Sequence, residues 1–315
     1  MITLDDVQAA ARVTAPYIKR TPLVASKTLS DRLGTNVYLK LELFQKTGSF
    51  KPRGAFNQML QLDPEACERG VVAVSGGNFA QAVAYAGSVL GLKTVICMPE
   101  YTPKNYIEAT QGYGGTIDIA PDLASAFKSV DAYRDQGMAV LQPYDHPNQM
   151  AGNGSLALEL IEDVPQVTDV FISIGGGGLI TGNTVALKAL KPDVRIWGVE
   201  TEGSPTMNEA LKAGKVVQIT PKSLAKTLGA PYVSAYALEV MQQQLEELIL
   251  VSDQEAIDAQ RFLLERAKVL PELAASCTLA AARKIKDRFG PDDHVVLVLC
   301  GGNESLENMM NYPKA

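Results

Sequence analysis

The chain has 315 residues, of which 46% are hydrophobic and 20% are charged, and its net charge is -6 at pH 7. This composition can bury a substantial core, and the length fits two domains better than one. The acidic balance gives no electrostatic support for nucleic-acid binding, so a small-molecule partner is expected.

The sequence also argues against membranes and metals. No apolar run approaches the roughly 20 residues that cross a bilayer. The start, MITLDDVQAAARV, lacks the order of a secretory signal, so a cytoplasmic location is expected. Neither histidine has a ligand partner three to five residues further on, which argues against zinc. The four cysteines lack CxxC spacing and are interpreted as reduced thiols, with Cys97 and Cys300 inside apolar strands.

Short β-branched runs alternate with helical stretches, which predicts an α/β fold with parallel sheets flanked by helices. Amphipathic helices are predicted for NFAQAVAYAGSVLG and GSLALELIED. Ligands of such sheets collect beyond the carboxyl ends of strands, where Ser75, Gly175 and Cys300 are placed. The predicted strands span 71–74, 94–99, 116–120, 171–175, 195–200 and 294–302.

Lys51 is the first chemical signal along the chain, within TGSFKPRGA at 47–55. A lysine becomes a covalent catalyst when it holds an aldehyde cofactor as a Schiff base, and partial desolvation keeps its amine neutral. Phe50 offers an apolar wall for this purpose. The ordinary alternatives are a solvated surface lysine and a plain core phenylalanine.

The segment SGGNFAQ at 75–81 follows a predicted strand and begins a predicted helix. Ser75 and the amides from Gly76 to Phe79 therefore face outward at a helix start, where a carboxylate fits. The alternative for Ser75 and Asn78 is simple helix capping.

A tetraglycine at 175–178 lies within SIGGGGLITG, between an apolar strand and the helical stretch TVALKAL. When a glycine loop connects a strand to a helix, its backbone amides and the helix dipole favour a bound anion such as a phosphate. The run lacks the GKS or GKT ending of a nucleotide P-loop, and a simple turn is the common alternative. Binding of pyridoxal phosphate requires both a lysine that forms a Schiff base and a loop that binds the phosphate.

Six motifs carry a resemblance to a known family. They are TPL at 21–23, LKLE at 39–42, GSFKPRGA, SGGN at 75–78, GGGGL and CGGN at 300–303. From about residue 5 to residue 305, the chain resembles the fold type II pyridoxal phosphate enzymes (tryptophan synthase beta-like), and within them the serine/threonine dehydratase (threonine ammonia-lyase) and serine racemase family. The resemblance implies a large cofactor-binding domain (1–62 and 146–315), a small inserted domain (66–144), and a homodimer or larger homo-oligomer.

The resemblance also assigns roles to residues. Lys51 would be the catalytic residue, and Cys300 would lie against the pyridine nitrogen, where a weakly acidic thiol gives the moderate electron withdrawal that suits β-elimination. A buried structural cysteine is the alternative. The implied cofactor-binding residues are Phe50, Lys51, Asn78, Gly175, Gly176, Gly177, Gly178, Leu179 and Cys300. The implied substrate-binding residues are Ser75, Gly76, Gly77 and Phe79.

Some positions depart from the family pattern. Phe79 replaces a histidine, Asn153 stands where relatives usually show glutamine, and Lys226 and Thr227 replace an acid and a glycine. Glu272, in LPELAAS, matches a family glutamate near the cofactor ring, although a solvated charge is an equal alternative.

A metal site is not expected in this chain. Family members that bind divalent metal carry an acid about six residues after the glutamate of a GVE-like strand. Here Glu200 is followed by Thr206 at that spacing.

The leading hypothesis is a pyridoxal phosphate-dependent ammonia-lyase that converts L-threonine, L-serine or a related L-β-hydroxy amino acid to a 2-oxo acid and ammonia. One alternative is a serine racemase, which needs an acid/base serine at the position of Gly76. Another is a dehydratase of a bulkier substrate such as L-threo-3-phenylserine. From a different class, a non-catalytic phosphate- or nucleotide-binding protein stays open.

Overall fold

The computed structural model describes residues 1–313. The strands are β1 (Leu23–Ala25), β2 (Asn36–Lys40), β3 (Val71–Val74), β4 (Thr94–Pro99), β5 (Thr116–Ala120), β6 (Ala139–Val140), β7 (Asp169–Ser173), β8 (Arg195–Thr201), β9 (Glu247–Val251) and β10 (His294–Val298). The α-helices are α1 (Leu4–Thr14), α2 (Lys27–Leu33), α3 (Lys51–Met59), α4 (Pro64–Arg69), α5 (Asn78–Leu90), α6 (Lys104–Gly112), α7 (Leu123–Asp135), α8 (Pro147–Asp163), α9 (Gly178–Leu190), α10 (Thr206–Ala213), α11 (Ala235–Gln244), α12 (Asp253–Phe262), α13 (Leu273–Lys284) and α14 (Leu306–Asn311).

The strands form two sheets. One has six strands in the order β1-β2-β10-β7-β8-β9, and the other has four in the order β5-β4-β3-β6. Every strand pair is parallel except β1 with β2. The predicted α/β class with mostly parallel sheets is therefore confirmed, while the exact division into domains stays a prediction. None of the helices in the described part of the chain combines the length and apolar character that a membrane span requires.

The six predicted strands correspond to β3, β4, β5, β7, β8 and β10, and Cys97 lies inside β4 as expected. The placement of Cys300 inside the last strand is wrong, because β10 ends at Val298. Beyond it the backbone leaves the sheet ladder and bonds to the segment before α3: Phe50 N–H donates to the Cys300 carbonyl at 3.0 Å, and Ser49 forms an isolated bridge with Gly301.

The backbone of helix α8 is in direct contact with the backbones of helices α3 and α9. A side chain at Gly152 of α8 would overlap the Arg53 carbonyl of α3, and one at Gly182 of α9 would overlap the Met150 carbonyl of α8. A Cβ on Gly154 would lie 2.6 Å from the Gly182 carbonyl oxygen. The glycines therefore allow α8 to lie directly against both neighbours, closer than side chains would permit.

A cluster of four charged side chains, three of them fully buried, lies beneath the start of α3. Arg53 binds both oxygens of Glu42 at 2.7 and 2.8 Å and both oxygens of Glu159 at 2.8 and 3.0 Å. Lys40 donates to Glu159 at 2.6 Å and to the Thr21 carbonyl at 2.8 Å. The side chains of Lys40, Glu42 and Arg53 have no exposed surface. The TPL, LKLE and KPRGA motifs thus meet in one charge-balanced cluster.

Burial alone would raise the pKa of Glu42, but the charge and hydrogen bonds of Arg53 outweigh it and hold that pKa below 4.5, its usual value. A group with a depressed folded-state pKa stabilises the fold above its unfolded pKa, and this contribution is lost as the pH falls through the folded value.

We predict that Arg53→Met lowers the free energy of unfolding at pH 7 by about 3–5 kcal/mol, because it removes the guanidinium that binds Glu42 and leaves two carboxylates with Lys40 as their one positive charge. Urea unfolding measures this, and the deficit should shrink below pH 4.5 as the carboxylates become protonated. Arg20→Met is the control. Arg20 is half-exposed and pairs with Glu162 and Asp163. Its substitution should lower the free energy of unfolding by about 1 kcal/mol or less. Equal losses in the two variants would contradict this account.

Candidate active site

Lys51 is the first residue of α3. Its Nζ donates to the Pro143 carbonyl at 2.7 Å and lies 5.0 Å and 5.6 Å from the ring centroids of Phe50 and Phe79. Burial lowers the pKa of Lys51 from 10.5 to about 8, although the negative charge of Glu272 opposes the shift. The side chain is only partly exposed, so the interpretation as a fully solvated surface lysine is wrong.

The tetraglycine follows β7 and forms the start of α9, so the predicted order of strand, loop and helix is confirmed. Gly177 has a φ of 95°, in the left-handed region that favours glycine. A side chain at Gly176 would overlap the Tyr144 ring, and a Cβ on Gly178 would lie 2.8 Å from Tyr144 Cα. Since Tyr144 follows Pro143, the same short segment contacts both the glycine loop and Lys51.

The glycine loop has the donors that a phosphate requires. Among residues 1–313, the N–H groups of Gly175, Gly176 and Gly177 donate to no protein acceptor, and the first amides of α9 have none within their own helix. The Leu179 side chain is buried in the core at 6% exposure, so only its backbone is available to a ligand. Asn153 lies beneath the loop and donates to the Gly178 carbonyl at 3.3 Å. The loop therefore fits a bound phosphate group.

The loop after β3, in the four-stranded sheet, provides a second set of amides close to Phe79, whose ring lies 5.6 Å from Lys51 Nζ. The Ser75 side chain accepts from Gly77 N–H at 3.2 Å, and Gly77 is the N-cap of α5 without a side-chain capping bond. Neither Ser75 nor Asn78 caps the helix through its side chain, which removes the capping alternative. Gly76 lies against Thr102, and a Cβ on Gly77 would be 4.0 Å from Thr227.

Asn78 is held in a buried polar network. Its Nδ2 donates to Glu272 at 3.0 Å, and its Oδ1 accepts from Asn303 at 2.8 Å. Thr227 donates to Glu272 at 2.9 Å. Glu272 is only 4% exposed, so the solvated-charge alternative is wrong, and burial raises the pKa of this carboxyl. Sequence reasoning did not assign Asn303 or Thr227 to the site, although both stand in segments that it singled out.

Cys300 is buried at 4% exposure, and burial raises the pKa of its thiol well above the usual value of 9.0. The group is therefore a neutral thiol at neutral pH. Its carbonyl accepts from Phe50 N–H, which places it beside the lysine segment. Phe79 is 2% exposed and packs in the core beneath the four-stranded sheet while its ring also faces Lys51.

The backbone just before Lys51 is unusual. Thr47 has a φ of 60°, uncommon for a residue with a side chain, and its carbonyl accepts from Asn303 at 2.8 Å. Asn303 thus joins this turn to Asn78, so the lysine segment and the 75–79 loop share a partner.

Glu200, the residue considered for a metal, is fully buried and accepts from the amides of Met207 and Asn208 at 2.7 and 2.9 Å. Its carboxylate thus binds the start of α10. The expectation that the chain has no metal site stays a prediction.

A partly buried lysine of lowered pKa near a loop of free amides fits an aldehyde cofactor that carries a phosphate. A family model described as "Pyridoxal-phosphate dependent enzyme" matches residues 14–301. The chain belongs to this family of pyridoxal phosphate-dependent enzymes and has its type II fold.

Named relatives are similar over nearly the whole chain. An L-threonine ammonia-lyase from Thermotoga maritima is 37% identical, covering 96% of this chain and 76% of the relative. An L-threo-3-hydroxyaspartate ammonia-lyase from Saccharomyces cerevisiae is 36% identical, covering 97% and 94%. Among solved structures, maize serine racemase has a TM-score of 0.94 and 30% identity, covering 98% of this chain and 95% of that one.

We predict that Lys51 in the cofactor-free protein reacts with an amine-selective reagent with a pH midpoint of about 8, because burial disfavours its charged form. Peptide mapping after brief labelling at a series of pH values measures the midpoint. A midpoint near 10.5 would show that the amine is fully solvated.

Proposed function

We propose that this protein is a pyridoxal phosphate-dependent ammonia-lyase that converts small L-β-hydroxy amino acids, with L-threonine and L-serine first, to a 2-oxo acid and ammonia. The observation that carries the proposal is the position of Lys51 near two loops with free amides, one after β7 in the six-stranded sheet and one after β3 in the four-stranded sheet. One loop suits a phosphate, and the other suits a substrate carboxylate. The names of the ammonia-lyase relatives support the reaction class.

The residues present fit the cofactor. Lys51 would hold it covalently, the loop at 175–179 would bind its phosphate, Asn78 would contact its ring hydroxyl, and Phe50 and Cys300 would lie against its ring. When bound, the cofactor supplies an electron sink for the bond being broken at the substrate α-carbon.

Lys51 would hold the cofactor in the resting protein, and its Nζ would act as general base on the substrate α-proton during turnover. An amine whose pKa is about 8 is partly neutral near neutral pH, which suits this role. The loop from Ser75 to Gly77 would hold the carboxylate and orient the α-proton towards Nζ. A neutral thiol at Cys300 would leave the electron withdrawal moderate, which favours prompt departure of the β-hydroxyl.

A serine racemase is the second candidate, favoured by the likeness to the maize enzyme. Racemisation requires a proton donor on the face opposite Lys51, and Gly76 has no side chain to provide it. We therefore expect formation of pyruvate from L-serine to exceed formation of D-serine. D-serine formed as fast as pyruvate would favour the racemase.

The proposal also includes a homodimer or larger homo-oligomer in the cytoplasm. A panel of L-threonine, L-serine, L-threo-3-phenylserine and L-threo-3-hydroxyaspartate, assayed for 2-oxo acid, tests the substrate class. Cofactor uptake without turnover of any of them would favour a binding protein.

We predict that Lys51→Ala reduces elimination to below about one part in a thousand and abolishes the visible absorbance of the lysine-bound cofactor, because nucleophile and base are lost together. Lys46→Ala, a half-buried lysine five residues earlier, serves as the control and should retain both. Higher residual activity in Lys51→Ala would place the base on another residue.

We predict that Phe79→His raises the rate with 3-hydroxyaspartate relative to threonine. The native aromatic ring faces Lys51 and would leave a second carboxylate without a partner, whereas an imidazole can donate to it. The ratio of the two kcat/KM values measures the change. The competing interpretation is that Phe79 serves only as core, and an unchanged ranking across the panel would favour it.

A further inference from the structure

A buried hydroxyl without a partner lies beside the loop at 75–77. Thr102 is 6% exposed, and its Oγ1 has no hydrogen-bond partner within residues 1–313. Burial of a hydroxyl without a partner is unfavourable, so its presence next to a ligand loop calls for a physical reason.

Two neighbouring parallel strands place this hydroxyl. Val74 of β3 pairs with Cys97 of β4, and Ser75 N–H donates to the Cys97 carbonyl at 3.2 Å. The turns that follow the two strands therefore leave the sheet at the same edge. Thr102 N–H donates to the Pro99 carbonyl at 2.9 Å, which fixes the second turn just before α6.

The hydroxyl faces Gly76. A Cβ built on Gly76 would lie 2.7 Å from Thr102 Oγ1 and 3.3 Å from its Cγ2. Because Gly76 has no side chain, no side-chain atom lies between the Thr102 hydroxyl and the backbone of the 75–77 loop. In the described chain, Gly76 N–H also donates to no protein acceptor. The Thr102 hydroxyl and the Gly76 N–H are therefore two neighbouring donors without a protein acceptor in the described chain. Both lie near the start of the thirteen-residue helix α5.

We propose that Thr102 is a substrate-binding residue whose hydroxyl donates to the α-carboxylate of the amino acid held by the 75–77 loop. The inference rests on the proposed function, in which this loop binds the substrate carboxylate. A carboxylate suits the place because its two oxygens accept from several donors at once and its charge is favoured at a helix start.

A purely steric role is the competing explanation, in which Thr102 only fills the space beside Gly76. Two substitutions separate the roles. Thr102→Val keeps the branched shape and removes the donor, whereas Thr102→Ser keeps the donor and removes a methyl group.

The test is calorimetric binding of L-alanine and L-alaninamide to the cofactor-loaded wild type and both variants. L-alanine has no β-leaving group, so binding is measured without turnover. Thr102→Val should weaken L-alanine binding about tenfold or more, because a hydrogen bond to a charged group is lost. Thr102→Ser should remain within about threefold of the wild type. The Thr102→Val effect should fall below about threefold for L-alaninamide, whose carbonyl is neutral.

Thermal unfolding without substrate provides a second readout. Thr102→Val should be at least as stable as the wild type, because it removes a buried group that has no partner. Lower stability of this variant would mean that the hydroxyl already has a partner, and would overturn the inference. Unchanged L-alanine binding, or equal losses for L-alanine and L-alaninamide, would also overturn it. A wild type that does not bind L-alanine at all would instead count against the proposed function.

Discussion

The position of Lys51 depends on a cluster of four charged side chains, Lys40, Glu42, Arg53 and Glu159, of which the first three are fully buried. Arg53, two residues further along α3, is bound on one side by Glu42 after β2 and on the other by Glu159 of α8. Ion pairs of this kind gain little net stability over apolar side chains of similar volume, because desolvation offsets their attraction. Their geometry is nevertheless specific, since a guanidinium that binds two carboxylates at fixed angles allows few orientations of the helix. The cluster therefore fixes the direction in which α3 begins.

Opposing electrostatic effects set the proton affinity of the lysine held in this way. Burial favours the neutral amine, and the buried carboxyl of Glu272 favours the ammonium form. Glu272 is itself hydrogen-bonded to Asn78 and Thr227, so the acidity of the lysine depends on residues from three separate segments. Movement of the 75–79 loop would change the partners of Glu272 and, through it, the charge on the amine.

Much of this arrangement could be read from the sequence, because strand periodicity and glycine-rich turns are local signals. The strands around Val71 and Ile96 and the tetraglycine follow from such patterns. The sequence pattern predicts that Cys300 lies in a strand, because the apolar run continues past Val298. In the structure, the backbone beyond Val298 pairs instead with the segment before Lys51. Asn303 and Thr227 act through contacts between residues far apart in the chain, and no periodic pattern encodes such contacts.

The LKLE and KPRGA motifs also act through contacts that the sequence alone does not reveal. Their charged residues Glu42 and Arg53 bind one another in the interior of the fold. A single sequence contains the charges but not the pairing, since pairing requires β2, α3 and α8 to be assembled. Conversely, Phe79 could be assigned to both core and site, because a ring in the first turn of α5 can face each of them.

The glycine contacts among α3, α8 and α9 have a consequence for the size of ligand that the site accepts. Helix α3 begins with the lysine, α9 begins with the glycine loop that we propose binds a phosphate, and the backbone of α8 is in direct contact with both helices. The span between the starts of α3 and α9 is thus fixed by main-chain atoms, which differ little from one sequence to another. Changes in core side chains elsewhere can alter stability and substrate preference while this span is preserved. The packing of the three helices would therefore limit the length of a ligand that is held by both the lysine and the glycine loop, and ordinary side-chain variation would leave that limit unchanged.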